Sequence, residues 1–177
     1  VGSEMCIRDS FTIYRMKAGD PASLPSDIVR DIVPYKDKLV IATQNGVCLF
    51  SPSTGSCRQL FKETKEGRNI GMVASLCFDK NGTLWIAATG EGVYSYRFDS
   101  GELTNYSHNP ATPNSLSNNN INNITLDSSG NLWFSTSGSG LDRYREESND
   151  FENFDVQKDG LSSDCIYEAV SYTHLRA

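Results

Sequence analysis

The stretch Asp79–Tyr96, DKNGTLWIAATGEGVYSY, returns 48 positions later as Asp127–Tyr144, DSSGNLWFSTSGSGLDRY. Both copies share a leucine–tryptophan pair followed seven positions later by a glycine: Leu84, Trp85 and Gly92, then Leu132, Trp133 and Gly140. Similarity at a fixed spacing of this size indicates a chain built from copies of one supersecondary unit.

A third, weaker copy lies upstream as KDKLVIATQNGVCLF, with Val40 in place of the tryptophan and Gly46 aligned with Gly92. The segment GLSSDCIYEA, beginning at Gly160, starts one more copy. An aromatic residue closes each unit at steps of 47, 45 and 48 residues: Tyr14, Phe61, Tyr106 and Phe154.

The apolar residues within a unit alternate with period two, which is typical of strands rather than helices. Four short strands in about 45 residues are typical of a β-propeller blade. We therefore predict an all-β fold, a partial β-propeller of about three four-stranded antiparallel blades plus flanking strands. The predicted propeller fragment covers residues 11–169, with blades at about 24–61, 70–106 and 116–154 and the start of a next blade at 161–169.

The repeated residues have predicted packing roles. Leu84 and Leu132 should face one side of a sheet while Trp85 and Trp133 face the other, each against a neighbouring blade. Gly92 and Gly140 should allow tight turns between second and third strands. Three blades do not close a ring, because propellers have about four to eight blades, so we expect an open arc.

Both ends of the chain read as translated adapter DNA. Back-translation of the first ten residues, VGSEMCIRDS, gives DNA whose reverse complement encodes VSYTHLRA, the last eight residues. We therefore expect residues 1–10 and 170–177 not to be native, and the chain to be an internal fragment of a longer protein.

Composition excludes several classes of function. A net charge of −6 argues against binding nucleic acid through its phosphates. No apolar run approaches the ~20 residues of a membrane span. The cysteines form no C-x-x-C pair, so we predict no metal site and no cofactor; whether Cys48 and Cys57 pair across one hairpin stays open. We predict no catalytic residues in this fragment.

Several copies in register resemble the two-component regulator propeller repeat, in which Asp-x-x-Gly-x-Leu-Trp is followed by a glycine hairpin. The stretches DPASLPSDIVRDI and TPNSLSNNNINNI are similar to the start of that repeat. The resemblance implies the periplasmic part of an inner-membrane hybrid sensor histidine kinase, as in Bacteroidetes, that responds to an oligosaccharide. It also implies that the remaining blades belong to the same chain and that the full-length sensor is a homodimer.

Two other functions fit a propeller fragment. One is a glycoside hydrolase or lyase whose catalytic residues lie in missing blades, and the other is a protein-interaction scaffold. For a ligand site, we predict contacts from the turns and connections on one edge of the blades, although solvent exposure alone would also explain polar residues there. The candidate contacts are Gln44, Asn45, Glu91, Ser137 and Asn119.

Overall fold

The computed structural model describes residues 11–61 and 70–169 and contains three four-stranded antiparallel sheets. The first sheet, blade 1, has the strands β1 (Val29–Tyr35), β2 (Lys38–Thr43), β3 (Gly46–Ser51) and β4 (Ser56–Phe61). Blade 2 has β5 (Val73–Phe78), β6 (Leu84–Ala88), β7 (Gly92–Tyr96) and β8 (Leu103–Tyr106). Blade 3 has β9 (Ile121–Leu126), β10 (Leu132–Thr136), β11 (Leu141–Arg145) and β12 (Asp150–Phe154).

The strands of every blade follow one another in chain order across the sheet. A single helical turn, α1 (Val156–Asp159), follows β12. The predicted fold class, a partial propeller of three four-stranded blades, is confirmed. The expectation about adapter-derived ends concerns residues 1–10 and 170–177, which lie outside the described residues.

Alternation along the second strands builds two cores from one sheet. Leu84 and Ile86 on β6 pack in the core between blades 1 and 2, whereas Trp85 and Ala87 pack in the core between blades 2 and 3. All five residues of β6 are buried. Leu84 and Trp85 therefore face opposite sides of blade 2, which is stabilised from both sides.

The aromatic residue that closes each unit packs on the third strand of the next blade. Because one contact recurs at every boundary, the repeat spacing in the sequence reports an interface between blades. The ring centroids are 4.7, 4.8 and 5.9 Å apart in the pairs Tyr14–Phe50, Phe61–Tyr96 and Tyr106–Tyr144.

The flanking segments differ in part from the expected strands. Residues 11–28 reach blade 1 through Tyr14 but contain no strand, and residues 161–169 contain one isolated bridge, between Ser137 and Cys165. The N-terminal flank thus keeps the aromatic contact of a propeller unit, whereas the C-terminal flank is joined to blade 3 by hydrogen bonds.

Blade 1 replaces the repeated tryptophan with Val40 and fills the space differently. Tyr35 stacks on Phe98 of blade 2 at 4.0 Å and on Phe78 at 5.5 Å. These rings restore the apolar volume that a valine alone leaves unfilled, which is why this blade tolerates its departure from the repeat.

The first strands β1, β5 and β9 contact one another in sequence and line the inner side of the arc. Side chains bond them across the blade boundaries. Asp31 Oδ2 on β1 accepts hydrogen bonds from the backbone N–H of Leu76 at 2.7 Å and from the Ser75 hydroxyl at 3.1 Å. The Ser75 hydroxyl accepts in turn from the N–H of Ile124 on β9 at 3.3 Å.

Candidate ligand-binding edge and axial groove

One edge of the arc, here called the turn edge, is formed by the turns that connect second to third strands, at 44–45, 89–91 and 137–139, and by the segments that lead into β5 and β9. Three equivalent hydrogen bonds join blades along this edge. Gly46 donates its N–H to the carbonyl of Gly71, Gly92 to Asn119 and Gly140 to Asp164, over 3.1, 3.1 and 2.7 Å. Each acceptor lies in the segment leading into the next unit, so each turn is held to the following blade.

The glycines are required at these positions by space as well as by conformation. Gly92 has a φ of +84°, and a Cβ built on it would lie 2.3 Å from the carbonyl oxygen of Tyr106. Gly140 has a φ of +79°, and its Cβ would lie 2.0 Å from the carbonyl oxygen of Phe154. The sequence predicted the tight turn, but not the backbone of the fourth strand that crosses close behind it.

The five candidate contacts all lie on the turn edge, but they do not form one cluster. Gln44, Asn45 and Ser137 are exposed, whereas Glu91 and Asn119 are partly buried. Asn45 donates its amide to the carbonyl of Pro25 at 3.3 Å, and the Asn119 amide oxygen accepts the N–H of His108 at 2.6 Å. These two asparagines therefore hold the connections between blades. Binding of a ligand by any of the five stays a prediction.

A groove of about 470 Å³ opens where the turn edge meets the inner strands. This axial groove is of the size that small-ligand pockets have, roughly 300–1,000 Å³. Of the five candidate contacts, it contains only Ser137. Its lining comes from all three blades and the segment beyond: Arg30, Met72, Ala74, Thr89, Asn120, Ile121, Asn122, Ser137 and Tyr167.

Four of the lining residues occupy the same position of the repeat, which is the second residue of the first strand in each of the three blades. They are Arg30, Ala74, Asn122 and, in the segment beyond blade 3, Tyr167. The last three each lie three residues after the carbonyl that accepts a turn-edge hydrogen bond. Arg30 is exposed and Tyr167 is 79% exposed. These residues were not among the predicted contacts, because each copy of the repeat has a different residue at this position.

A buried carboxylate anchors the connection that leads into blade 3. Asp142 is fully buried and accepts the N–H of Ser117 at 2.9 Å and the amide of Asn153 at 2.7 Å. Burial raises the pKa of Asp142, and the hydrogen bonds from Ser117 and Asn153 partly offset that rise. On the same connection, His108 Nδ1 lies 2.7 Å from the carbonyl oxygen of Leu116, so this residue is bonded within its loop.

The repeated aspartates stabilise the turns between first and second strands and bind the tryptophans. Asp127 Oδ1 accepts the N–H groups of Ser129 and Asn131 at 2.9 and 2.8 Å, and its Oδ2 accepts the Trp133 indole N–H at 2.9 Å. Desolvation opposes ionisation of Asp127, but these hydrogen bonds outweigh it and lower its pKa to about 2. Within the residues described, no group of three His, Cys, Asp or Glu side chains is placed to hold a metal ion.

A larger groove of about 670 Å³ lies between blades 2 and 3 on the opposite edge. Three of its four cationic side chains form ion pairs: Lys80 with Glu146 at 3.0 Å, Arg145 with Asp150 at 2.7 Å, and Arg143 with Glu152. The equivalent space between blades 1 and 2 is filled by the Tyr35 ring cluster. Among the described residues, the one cationic side chain that lines the axial groove, Arg30, forms no ion pair.

On the face of blade 1 turned away from blade 2, the Cys48 thiol donates a hydrogen bond to the Cys57 sulfur at 3.6 Å, and the two form no disulfide. Burial raises the pKa of both thiols. They lie on a diagonal of the β3–β4 pair, since Cys48 is opposite Gln59 and Cys57 is opposite Phe50. Both therefore serve as small apolar side chains in this core.

The comparison with protein families finds one match, to the family described as two component regulator propeller, over residues 115–138. This range runs from the lead-in of blade 3 through β9 and β10 to the turn edge. The chain carries a two component regulator propeller repeat. The match covers the blade 3 copy of the Asp-x-x-Gly-x-Leu-Trp motif together with its lead-in. Blade 2 carries the same motif at 79–85, and blades 1 and 2 repeat the turn-edge hydrogen bonds and the aromatic contacts.

Solved structures that contain the same arrangement include extracellular domains assigned to hybrid two component systems of Bacteroides thetaiotaomicron. The domain of BT3049 is 22% identical with a TM-score of 0.72, and the match covers 81% of this chain and 20% of that one. The domain of BT4673 is 22% identical with a TM-score of 0.63, over 81% and 19%. The chain therefore spans about a fifth of the length of these domains.

A virginiamycin B lyase from Staphylococcus aureus, solved as an inactive variant with quinupristin, also matches. It is 18% identical with a TM-score of 0.53, over 78% of this chain and 45% of the lyase. At these identities the similarity shows a shared fold only, and propeller folds occur in enzymes as well as in regulator proteins. Curated protein sequences give no match to the chain. The one helix of the described residues, α1, is far too short to cross a membrane.

Proposed function

We propose that this chain is part of the extracytoplasmic ligand-sensing propeller of a hybrid two-component sensor histidine kinase, and that its ligand is an oligosaccharide. The observation that carries the proposal is the regulator propeller repeat at residues 115–138. The extracellular domains of hybrid two component systems among the structural neighbours support it. On this proposal the kinase lies in another part of the full-length protein, which spans the inner membrane and acts as a homodimer.

The chemistry of the axial groove fits a binding role. Its lining has amide, hydroxyl and guanidinium groups beside an exposed tyrosine ring, and the exposed groups include Asn120, Ser137 and Tyr167. Such groups hydrogen-bond sugar hydroxyls, while the tyrosine offers a flat apolar surface. A ligand in this groove would contact several blades together. It would drive signalling only through a difference in affinity between two conformations.

A lyase is the second candidate, because the virginiamycin B lyase has a related fold. That reading requires catalytic groups on blades beyond this chain. General acid–base catalysis needs titratable groups positioned at the substrate, and the described lining of the axial groove has neither a carboxylate nor a histidine.

The test is to recover the full gene and to express the extracytoplasmic region of its product. Calorimetry against a panel of neutral and acidic glycan fragments should detect one that binds, and chromatography should show that fragment unchanged after incubation. Turnover of any fragment would favour the lyase. A gene without a kinase domain, together with no binding to any glycan, would refute the sensor proposal.

A further inference from the structure

The position of the repeat held by Arg30 and its three equivalents in the groove lining is here called the axial position. Its residues vary between units, whereas the residues that hold the blades together recur. In blades 1, 2 and 3 this position is the second residue of the first strand, and the unit that follows has its equivalent at Tyr167. All four residues differ in chemical class from one another: Arg30, Ala74, Asn122 and Tyr167. Residues that hold the blade boundaries recur, whereas these line one groove and differ from unit to unit. Ala74 also packs against the core between blades 2 and 3, and Asn122 donates its amide to the carbonyl of Ile166 at 2.8 Å.

Arg30 gives the groove its electrostatic character. The whole chain has a net charge of −6, yet the described lining of the axial groove contains one charged side chain, and it is a cation. Within residues 11–61 and 70–169, no carboxylate forms an ion pair with Arg30. Its Nη2 lies 3.5 Å from the sulfur of Met72, at the wall of the groove.

A guanidinium in this setting favours an anionic partner. Arginine presents a planar fork of donors that fits a carboxylate or a sulfate through two parallel hydrogen bonds, which are about twice as strong as bonds between neutral groups. The other polar groups of the lining are amides and hydroxyls, which suit neutral sugar hydroxyls. The lining therefore has one side chain that can bind an anion, Arg30, and its other side chains are uncharged.

We propose that the ligand of the axial groove is an acidic oligosaccharide, with a carboxylate or sulfate bound by Arg30 and a sugar ring beside Tyr167. This inference rests on the proposed sensor function and narrows its ligand class. The two proposals can be distinguished by experiment, because a sensor that binds neutral glycans would agree with the proposed function and contradict this inference.

The test uses the extracytoplasmic region of the full-length protein as the wild type and as three variants, Arg30→Gln, Arg30→Lys and Arg97→Gln. Arg97 is the matched control, because it is an exposed arginine that lines the opposite groove between blades 2 and 3. The probes are trigalacturonate for the carboxylate, a sulfated galactose disaccharide for the sulfate and galactotriose as the neutral sugar. The measurement is calorimetric affinity at low and high salt.

We expect one of the acidic probes to bind and galactotriose to bind at least tenfold more weakly. Arg30→Gln should weaken the acidic probe at least tenfold, Arg30→Lys should restore part of the affinity, and Arg97→Gln should leave it unchanged. Which acidic probe binds identifies the anion. Preference for galactotriose, or acidic binding that is equal in wild type and Arg30→Gln, would overturn the inference while leaving the sensor function standing. Failure of every probe and of the wider glycan panel would overturn both.

Discussion

Substituting alanine at Gly92 separates the two physical reasons for a glycine at the turn edge. Gly90 lies in the same turn with nearly the same backbone, at φ +82° against +84°, but a Cβ on Gly90 would have no heavy atom within 4 Å. A Cβ on Gly92 would meet the carbonyl oxygen of Tyr106 at 2.3 Å. Gly90→Ala therefore isolates the conformational penalty, and Gly92→Ala adds the clash.

The expected magnitudes follow from that geometry. A left-handed conformation costs an L residue roughly 1–2 kcal/mol, which applies to both variants. At Gly92 the contacted atom belongs to backbone and cannot rotate away, and forcing an extra carbon into a packed region costs about 1–3 kcal/mol more. Moving the strand aside would also strain the N–H bond from Gly92 to Asn119 of the next blade, at 3.1 Å. We expect Gly90→Ala to lose about 1–2 kcal/mol and Gly92→Ala about 2–5 kcal/mol in total.

Urea unfolding, followed by tryptophan fluorescence at a concentration where the chain is monomeric, measures both variants. Trp85 lies between blades 2 and 3, so its emission reports the interface that Gly92 helps to hold. Equal losses in the two variants would show that the close approach to Tyr106 has no energetic weight, and the spatial explanation of the repeated glycine would be wrong. Gly138→Ala and Gly140→Ala repeat the comparison in blade 3, where only Gly140 has a close backbone contact.

Three further predictions concern stability. Trp85→Ala should cost about 3–5 kcal/mol in urea unfolding and Trp133→Ala clearly less, because both indoles donate to a turn aspartate but Trp85 is 2% exposed while Trp133 is only partly buried. Asp127, whose pKa is lowered to about 2 from 3.8, contributes stability that is present above pH 3.8 and lost as the pH falls towards 2; Asp127→Asn should flatten that part of an acid unfolding curve. Asp142 has the opposite sign, because burial raises its pKa above the usual 3.8 in the folded state. Lowering the pH from 7 towards 4 should therefore increase the free energy of unfolding of the wild type, and Asp142→Asn should lack this increase when urea midpoints are compared across that range.

The architecture could be predicted from the sequence because a blade repeats its packing. The leucine–tryptophan pair alternates between two cores, and the closing aromatic reaches the next blade, so spacing along the chain corresponds to spacing between sheets. Tyr14 is the clearest case. It lies outside every strand, yet it makes the contact that Phe61 and Tyr106 make at the same position of the repeat.

What escaped prediction lies where the chain departs from its repeat or where distant segments meet. The replacement of tryptophan by Val40 gave no hint that Tyr35, on another strand, would supply the missing volume with Phe98. Asp142 reads as the polar member of an alternating strand, but the connection at Ser117 covers it completely. The candidate contacts were predicted from polar turns. Those turns share one edge of the arc, but their sequence cannot distinguish the side chains that face the axis.

The repeat has recurring residues at the blade boundaries and varying residues in the axial groove, and this difference affects how a propeller fragment could respond to a ligand. Recurring residues make each blade boundary a close-packed apolar interface, which resists gradual deformation. The axial groove takes its walls from several blades, and Asn120 and Asn122 lie beside Asn119, whose carbonyl accepts the bond from Gly92. A ligand spanning the groove would therefore act on the placement of whole blades, through the hydrogen bonds of the turn edge, and leave each blade intact. For the proposed sensor this locates the response at the boundaries between blades, where a small change in blade placement alters the surface that the rest of the protein contacts.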